Sequence, residues 1–432
     1  MQRIYLCVDL KTFFASVECV ERHLDPFTTN LVVADVERGT NAICLAITPK
    51  MKMLGIKNRC RISEIPPTVK YIAAKPRMSL YMKYCGDIYG IYLKYFSKED
   101  IHVYSIDEVF IDITGYLKTY NKNPMELARM VIEDVFNTYG ITATAGIGTN
   151  MYLAKIALDI TAKHSASNIG YLDEEKYKLE LWHHKPLTDF WQVGPGTERR
   201  LNKMRLFDMY DVAHADPKKL FKEFGINAEY LIDHSWGREY CTIADIKAYK
   251  PKSSSISNSQ ILFRDYSFYE ARTVLKEMIE LNSLRLVKEN LVTNTIQLYV
   301  GYSRDIINAS SGVRHIEKYT NAYSELLKYF LNFYDEITNR NVGIRRLGIS
   351  FGNITENNNI QLSLFANQEK LDKERELELT LNNIKDKMGK NMILRGTNFL
   401  QESTARARNS MIGGHNRWVE LIEQSCLCLL ML

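Results

Sequence analysis

The chain has 432 residues, of which 46% are hydrophobic and 25% charged, with a net charge of +5. That length implies roughly two to four domains with ample core, and the mild basicity suits nucleic acid without diagnosing it. Eight cysteines lie scattered with no CxxC pair and no Cys/His metal spacing, and no apolar run reaches the ~18 residues of a membrane span, so a disulfide scaffold, a zinc module and a transmembrane protein are all excluded as readings.

Arg3 to Val8 reads as a buried strand that ends on Asp9. It starts so close to Met1 that no signal peptide is expected, and the thiols fit a reduced, cytoplasmic setting. Leu10 to Glu18 reads as a turn entering a helix. Strand candidates follow at Leu31–Ala34 and Ala42–Ile47, then a helix from Pro49 that Gly55 closes.

Ser105-Ile106-Asp107-Glu108-Val109-Phe110 is the most telling stretch. Two adjacent acids inside an apolar, strand-prone run are awkward unless a positive group lies near them, because buried charges are normally paired or coordinate metals. Asp9 is a third acid in a similar setting. Three carboxylates converging on one sheet can hold two Mg²⁺ ions, a known solution for nucleotidyl transfer.

Asn123-Pro124-Met125-Glu126 is a helix start, with a cap, Pro in the first turn and Glu three residues on; Leu127, Met130, Val131 and Val135 line one face and Gly140 ends it. Thr142–Gly148 is a strand of small residues, and Asn150 opens another helix. Gly146 and Gly148 form a GxG, weak evidence by itself for phosphate binding. Trp191-Gln192-Val193-Gly194-Pro195-Gly196 is a Gly-Pro turn, with Phe224-Gly225-Ile226 a weaker one, and Ser253–Ser255 follows a polar stretch. From Gln260 to Phe351 the strands and helices alternate in a β-α-β-β-α-β order. Leu377, Leu381, Ile384 and Met388 mark an amphipathic helix.

Asp9 with Phe13-Phe14-Ala15, followed by Ser105-Ile106-Asp107-Glu108 and by Gly146-Ile147-Gly148-Thr149-Asn150 with Leu153-Ala154-Lys155 and Asp159, resembles the Y-family (translesion) DNA polymerases. The likeness is strongest to the polymerase V catalytic subunit and its Gram-positive and phage relatives, and runs from residue 1 to about 420. It implies an α+β multidomain, right-hand architecture. The ferredoxin-like palm would comprise 1–17 and 75–165, the small fingers 18–74, the helix-hairpin-helix thumb 166–238, a linker 239–252, the split-βαβ little finger 253–352, and a flexible tail 353–432.

The resemblance also implies roles. Asp9 and Asp107 would bridge two Mg²⁺ ions, the Leu10 carbonyl would complete the nucleotide-side ion, and Glu108 would bind the catalytic-side ion. Phe14 would be the steric gate under the sugar, Phe13 would border the triphosphate, and Lys52 and Lys163 would contact it; Pro49 replaces a Tyr that some relatives use there. Gly194 and Gly196 would grip a DNA phosphate at a helix N-terminus. Gln361-Leu362-Ser363-Leu364-Phe365 resembles the motif that binds the bacterial β sliding clamp, with Gln361, Leu362, Leu364 and Phe365 as its contacts. The implied function is error-prone translesion synthesis from dNTPs on primer-template DNA in an SOS-type damage response, with accessory SOS proteins as possible partners and no membrane.

Two other classes compete. A nucleotidyl cyclase shares the acidic sheet but has no use for a DNA-gripping hairpin or a clamp motif. A non-catalytic, clamp-tethered DNA-binding regulator would have no use for three intact acids. Arg406–Arg417 resembles the ending of the Gram-positive branch, whereas Cys426–Leu432 departs from it and carries no functional reading.

Overall fold

A computed structural model describes residues 3–251, 254–303, 307–357 and 368–416. They form two compact units, Met1–Tyr249 and Lys250–Asn416. The clamp-like residues Gln361–Phe365 and the end Cys426–Leu432 lie outside the described residues.

In the first unit β1 (Tyr5–Leu10) leads into α1 (Phe13–Val20). A small sheet follows, made of β2 (Leu31–Val33), β3 (Ala46–Ile47) and β4 (Ile72–Ala74) in the order β3-β2-β4. Helix α2 (Pro49–Met53) sits between β3 and β4, with Pro49 in its first turn and Gly55 just beyond it at φ +80°. Val32, Cys44, Ile47, Met51 and Cys60 give this region a core of its own.

The chain then runs through α3 (Met78–Tyr95), β5 (Ile101–Val103), β6 (Glu108–Asp112), α4 (Tyr116–Tyr120), α5 (Pro124–Tyr139), β7 (Ala143–Gly148), α6 (Met151–Ile156) and β8 (Ile169–Leu172). The expected helix start is present: Asn123 and Glu126 cap each other's backbone N–H groups, and Gly140 is left-handed at the other end. Five strands form one sheet in the order β5-β6-β1-β7-β8, with β1 antiparallel to both β6 and β7.

Side chains alternate across a strand, so β1 serves two layers. Leu6, Val8 and Leu10 join Val109, Ile111, Ala145 and Ile147 in the main core, which α3 and α5 complete through Ile88, Tyr92, Leu127 and Val131. Tyr5, Cys7 and Phe110 face the other way, onto Met151 and Ala154 of α6 and Leu158 just beyond it. A strand buried on both faces reads as a nearly unbroken apolar run, as β1 does.

Close approach of α6 requires the glycines of β7. A Cβ on Gly146 would stand 2.1 Å from the Ala154 carbonyl oxygen, and one on Gly148 would stand 2.2 Å from the Ala154 nitrogen. The GxG therefore seats a helix on a strand, and its spacing needs no phosphate to explain it. After α6 the chain makes one π turn (Ala157–Thr161) and a 3₁₀ turn (Ala162–His164) before β8.

Five short helices follow: α7 (Glu174–Leu181), α8 (Pro195–Lys203), α9 (Met209–Ala213), α10 (Pro217–Phe224) and α11 (Ala228–Ser235). They close over Tyr177, Phe190, Leu201, Val212 and Leu220. The limb before α8 is a single 3₁₀ turn, Leu187–Asp189, shorter than a helical hairpin arm. The expected linker 239–252 is partly structured: α12 (Ile243–Ala248) is capped by Thr242 and Asp245, and Ile243 packs on the Tyr5–Phe110 face.

The second unit runs β9 (Ile256–Tyr266), α13 (Phe268–Lys288), β10 (Leu291–Tyr302), β11 (Ser310–Thr320), α14 (Tyr323–Ile337) and β12 (Ile344–Gly352). The sheet order is β11-β10-β12-β9 with every neighbour antiparallel. Strand β12 thus separates the parallel pair β9 and β10, and β10 separates β11 and β12. These are two interlocked split-βαβ units, as the element order predicts. Val274, Leu275 and Ile279 of α13 and Phe330 of α14 pack on Leu298, Val300, Leu347 and Phe351.

Beyond β13 (Thr355–Glu356), part of the expected tail folds onto this module. Helix α15 (Gln368–Met388), α16 (Ala405–Asn409) and the hairpin of β14 (Met411–Ile412) with β15 (His415–Asn416) belong to the same unit. The predicted amphipathic helix exists, and its docked face mixes polar and apolar groups: Glu378 is 2% exposed and Leu381 and Ile384 are half-buried, whereas Leu377 and Met388 are 56% and 62% exposed. Asn382 donates to the Leu284 carbonyl at 2.9 Å, Lys288 pairs with Asp386 at 2.6 Å, and Glu374 accepts from Ser324 N and Oγ.

Candidate active site

The end of β1 organises the site. Asp9 lies opposite Glu108 on one side and Thr144 on the other. Directly opposed residues of an antiparallel pair share a face, so Asp9 and Glu108 project on the α6 side of the sheet. Asp107 occupies the turn before β6; its carbonyl accepts from Leu10 N at 2.9 Å, and its carboxylate accepts from Ser105 Oγ at 2.7 Å. Burial, with Asp107 and Glu108 nearby, pushes the Asp9 carboxyl up to about 7.

Glu108 is 7% exposed. Its Oε1 meets Lys155 Nζ at 2.9 Å and accepts from Cys7 Sγ at 3.2 Å. Burial raises its pKa against the pull of Lys155, whereas on Lys155 the acids Asp159 and Glu108 outweigh burial and hold the ammonium charged. We take the pair as ionised, because Lys155 also meets Asp159 at 3.1 Å.

Lys52 and Lys11 lie near this acid group. Lys52 is raised by Asp9 and lowered by burial and by Lys163, which places the three charges in one neighbourhood. Lys11, beside Asp9 in sequence, is likewise lowered by burial and by Lys52 and raised by Asp9, and its ammonium is held by Asn168 Oδ1. Sequence reading missed Lys11, whose only signal was adjacency to Asp9, and gave Lys155 no role.

Thr12 adopts a left-handed conformation at φ 47° as α1 begins. The first-turn N–H groups of α1, which have no intrahelical acceptor, begin four residues after Asp9. Phe13 is buried in the main core, so only its backbone can border a ligand. Phe14 is half-buried and stacks on Tyr81 with ring centroids 4.5 Å apart. Tyr81 donates to Glu18 at 2.7 Å, and Arg77 grips that carboxylate through Nε at 2.8 Å and Nη2 at 2.7 Å. Gly194 caps α8 in an extended conformation; it and Gly196 are exposed, with open space where a Cβ would lie.

The donors at the sheet end are all hard oxygens, the type Mg²⁺ prefers. Among the described residues no three acidic, His or Cys side chains already close around one point as a metal cage. Fit to Mg²⁺ is therefore one of donor chemistry and crowding: a desolvated carboxyl beside two others, followed by the buried Leu10 and the half-buried Lys11.

A five-stranded sheet with acids at one end of its central strand and Lys11 and Lys52 near them is an arrangement suited to a polymerase-type nucleotidyl-transfer protein. Comparisons with known proteins name the family. Residues 8–159 match the impB/mucB/samB family and residues 253–364 its C-terminal domain. A Bacillus subtilis (strain 168) protein named UvrX for UV-damage repair is 31% identical over 95% of this chain and 97% of its own length. DNA polymerase IV 2 of the same organism is 28% identical, covering 96% and 99%. A solved Y-family DNA polymerase chimera of Dbh and Dpo4 shares the fold at TM-score 0.61, with 23% identity over 82% of this chain and all of that one. The chain belongs to the impB/mucB/samB family of Y-family, translesion DNA polymerases.

Proposed function

We propose that the chain extends primer-template DNA from dNTPs across damaged template, with Asp9, Asp107 and Glu108 as its catalytic carboxylates. The observation that carries this reading is the grouping of these acids at one sheet end, with Lys52 near enough to feel the charge of Asp9 and Lys163 near Lys52.

Asp9, Asp107 and the Leu10 carbonyl would hold the nucleotide-side Mg²⁺, and Asp9, Asp107 and Glu108 the catalytic-side ion. When bound, the two ions neutralise the triphosphate and ease deprotonation of the primer 3′-hydroxyl. The hydroxyl oxygen attacks the α-phosphorus, a new P–O bond forms, and pyrophosphate leaves. Lys52 and Lys163 bind the triphosphate as point charges. Phe14 lies under the sugar, where its ring leaves no room for a 2′-hydroxyl. Exposed N–H groups at Gly194 and Gly196 suit a DNA backbone phosphate, a contact that positions without reading sequence.

Gln361, Leu362, Leu364 and Phe365 would tether the enzyme to the β sliding clamp, and accessory SOS proteins are further partners of the same reading. Among the described residues no helix is long and apolar enough to cross a membrane. The test is Asp107→Ala: transfer should disappear while affinity for primer-template DNA stays within about twofold of wild type. Near-normal extension by that variant would remove Asp107 from the chemistry.

A further inference from the structure

The buried ion pair behind Glu108 has no part in the chemistry above. Lys155 is 8% exposed, and its long stem is enclosed because Gly146 and Gly148 let α6 lie directly on β7. Its ammonium is fixed from two sides, by Glu108 at 2.9 Å and by Asp159 at 3.1 Å. Cys7, fully buried on the same face of β1 as Asp9, donates its S–H to Glu108 at 3.2 Å. Both donors reach the same oxygen, Oε1. The other oxygen, Oε2, takes neither of these donors, and Asp9 stands opposite Glu108 in the register of β1 and β6.

We propose that Lys155, assisted by Cys7, is the positioning residue that orients Glu108 for metal binding. This inference rests on Glu108 being a metal ligand. A carboxylate on a free two-carbon stem samples several rotamers, and holding one oxygen fixes where the other points. Outer partners of metal-binding carboxylates work this way, and their loss typically costs 10–100-fold in metal affinity or activity. Lysine suits the task here because its long stem carries a charged donor from α6 across to Oε1 of Glu108. Asp159 supplies the second acid that keeps the ammonium in place, one turn further along the chain.

The experiment measures Mn²⁺ binding to the full-length protein without DNA, by the electron paramagnetic resonance signal of the free ion. It compares wild type, Glu108→Ala, Lys155→Met, Lys155→Arg and Cys7→Ala. Steady-state extension is run alongside, with Mg²⁺ and dNTP varied separately. Glu108→Ala and Lys155→Met should both weaken Mn²⁺ binding, Lys155→Met by about 10–100-fold. Lys155→Met should also lower kcat and raise the Mg²⁺ needed for half-maximal rate, with the KM for dNTP unchanged. Lys155→Arg should recover part of each loss, and Cys7→Ala should show a smaller loss of the same sign. A merely structural lysine would not divide Mg²⁺ dependence from dNTP KM in this way.

If Glu108→Ala weakens Mn²⁺ binding but Lys155→Met and Cys7→Ala do not, the positioning role is refuted. If Glu108→Ala itself leaves Mn²⁺ binding unchanged, the ligand assignment fails first and takes this inference with it. Should Lys155→Met not fold, Lys155→Gln takes its place, and wild-type Mn²⁺ affinity in both Lys155→Gln and Cys7→Ala would equally overturn the proposal.

Discussion

Gly146→Ala probes the seat of the site with one methyl group. The new Cβ would lie 2.1 Å from the Ala154 carbonyl oxygen, 2.3 Å from Leu158 N and 2.7 Å from Leu158 Cβ, where ordinary contact starts at 3.4 Å. Two of the three atoms are backbone, so no side chain can rotate away; the helix must retreat from the strand by about 1 Å, and close-packed interiors transmit such strain. Overpacking of a tight core costs about 1–3 kcal/mol, and the rigid obstacle puts this case near the upper end. The retreat carries Lys155 away from Glu108 and shifts the turn that bears Lys163. A misplacement of about 1 Å near a reacting centre can cost about 100-fold in rate. Urea unfolding followed by circular dichroism should therefore show a loss of about 3 kcal/mol, and primer extension a fall of about two orders of magnitude. Gly90→Ala is the control: it lies within α3 with nothing within 4 Å of its Cβ, and should stabilise by about 0.5–1 kcal/mol. Wild-type stability and wild-type extension in Gly146→Ala would refute the reasoning.

Three further outcomes follow from the same geometry. Arg77→Met leaves the fully buried Glu18 carboxylate with Tyr81 and Arg22 alone, and should cost about 3 kcal/mol in chemical unfolding at neutral pH. Burial alone would raise Glu18, but its partners outweigh burial and hold it below the usual carboxylate range; its contribution to stability is present above the ordinary Glu value of about 4.3 and is lost as pH falls through the lower folded value, a loss that unfolding curves of Arg77→Met should show reduced or moved to higher pH. Phe14→Val should raise incorporation of ribonucleotides relative to deoxynucleotides by at least tenfold in kcat/KM, about 1.4 kcal/mol of discrimination, and equal selectivity would dismiss Phe14 as the gate. Deleting Gln361–Phe365 should leave extension without clamp unchanged and abolish stimulation by added β clamp; retained stimulation would place the tether elsewhere.

The sequence exposed what depends on local pattern. Asp9 closing an apolar strand, the reciprocal Asn123–Glu126 cap and the β-α-β-β-α-β order of residues 256–352 all appear where short-range chemistry puts them. Pairings across long separations were invisible. Lys155 and Glu108 are 47 positions apart and Cys7 and Glu108 are 101, so only the register of β1 against β6 and the seating of α6 bring them together. Helix α3 spans eighteen residues but contains Gly86 and Gly90, which blur a helical pattern. Gly146 and Gly148 invited comparison with a phosphate loop because a GxG looks alike whether a ligand or a helix backbone needs the space. Of the four apolar residues that marked α15, Leu381 and Ile384 are half-buried and Leu377 and Met388 are exposed, and hydrogen bonds and ion pairs around Glu374, Asn382 and Asp386, which the apolar pattern did not show, join in holding the helix.

The most direct measurement is primer extension on undamaged and abasic templates with Mg²⁺ and all four dNTPs, with wild type set against Asp107→Ala/Glu108→Ala. Extension by wild type with passage of the abasic site, and none by the double variant that still binds the same DNA, is the predicted result. Equal extension by both proteins, or none by wild type even with β clamp and accessory SOS proteins added, would contradict the assignment of these carboxylates as the centre of a translesion polymerase.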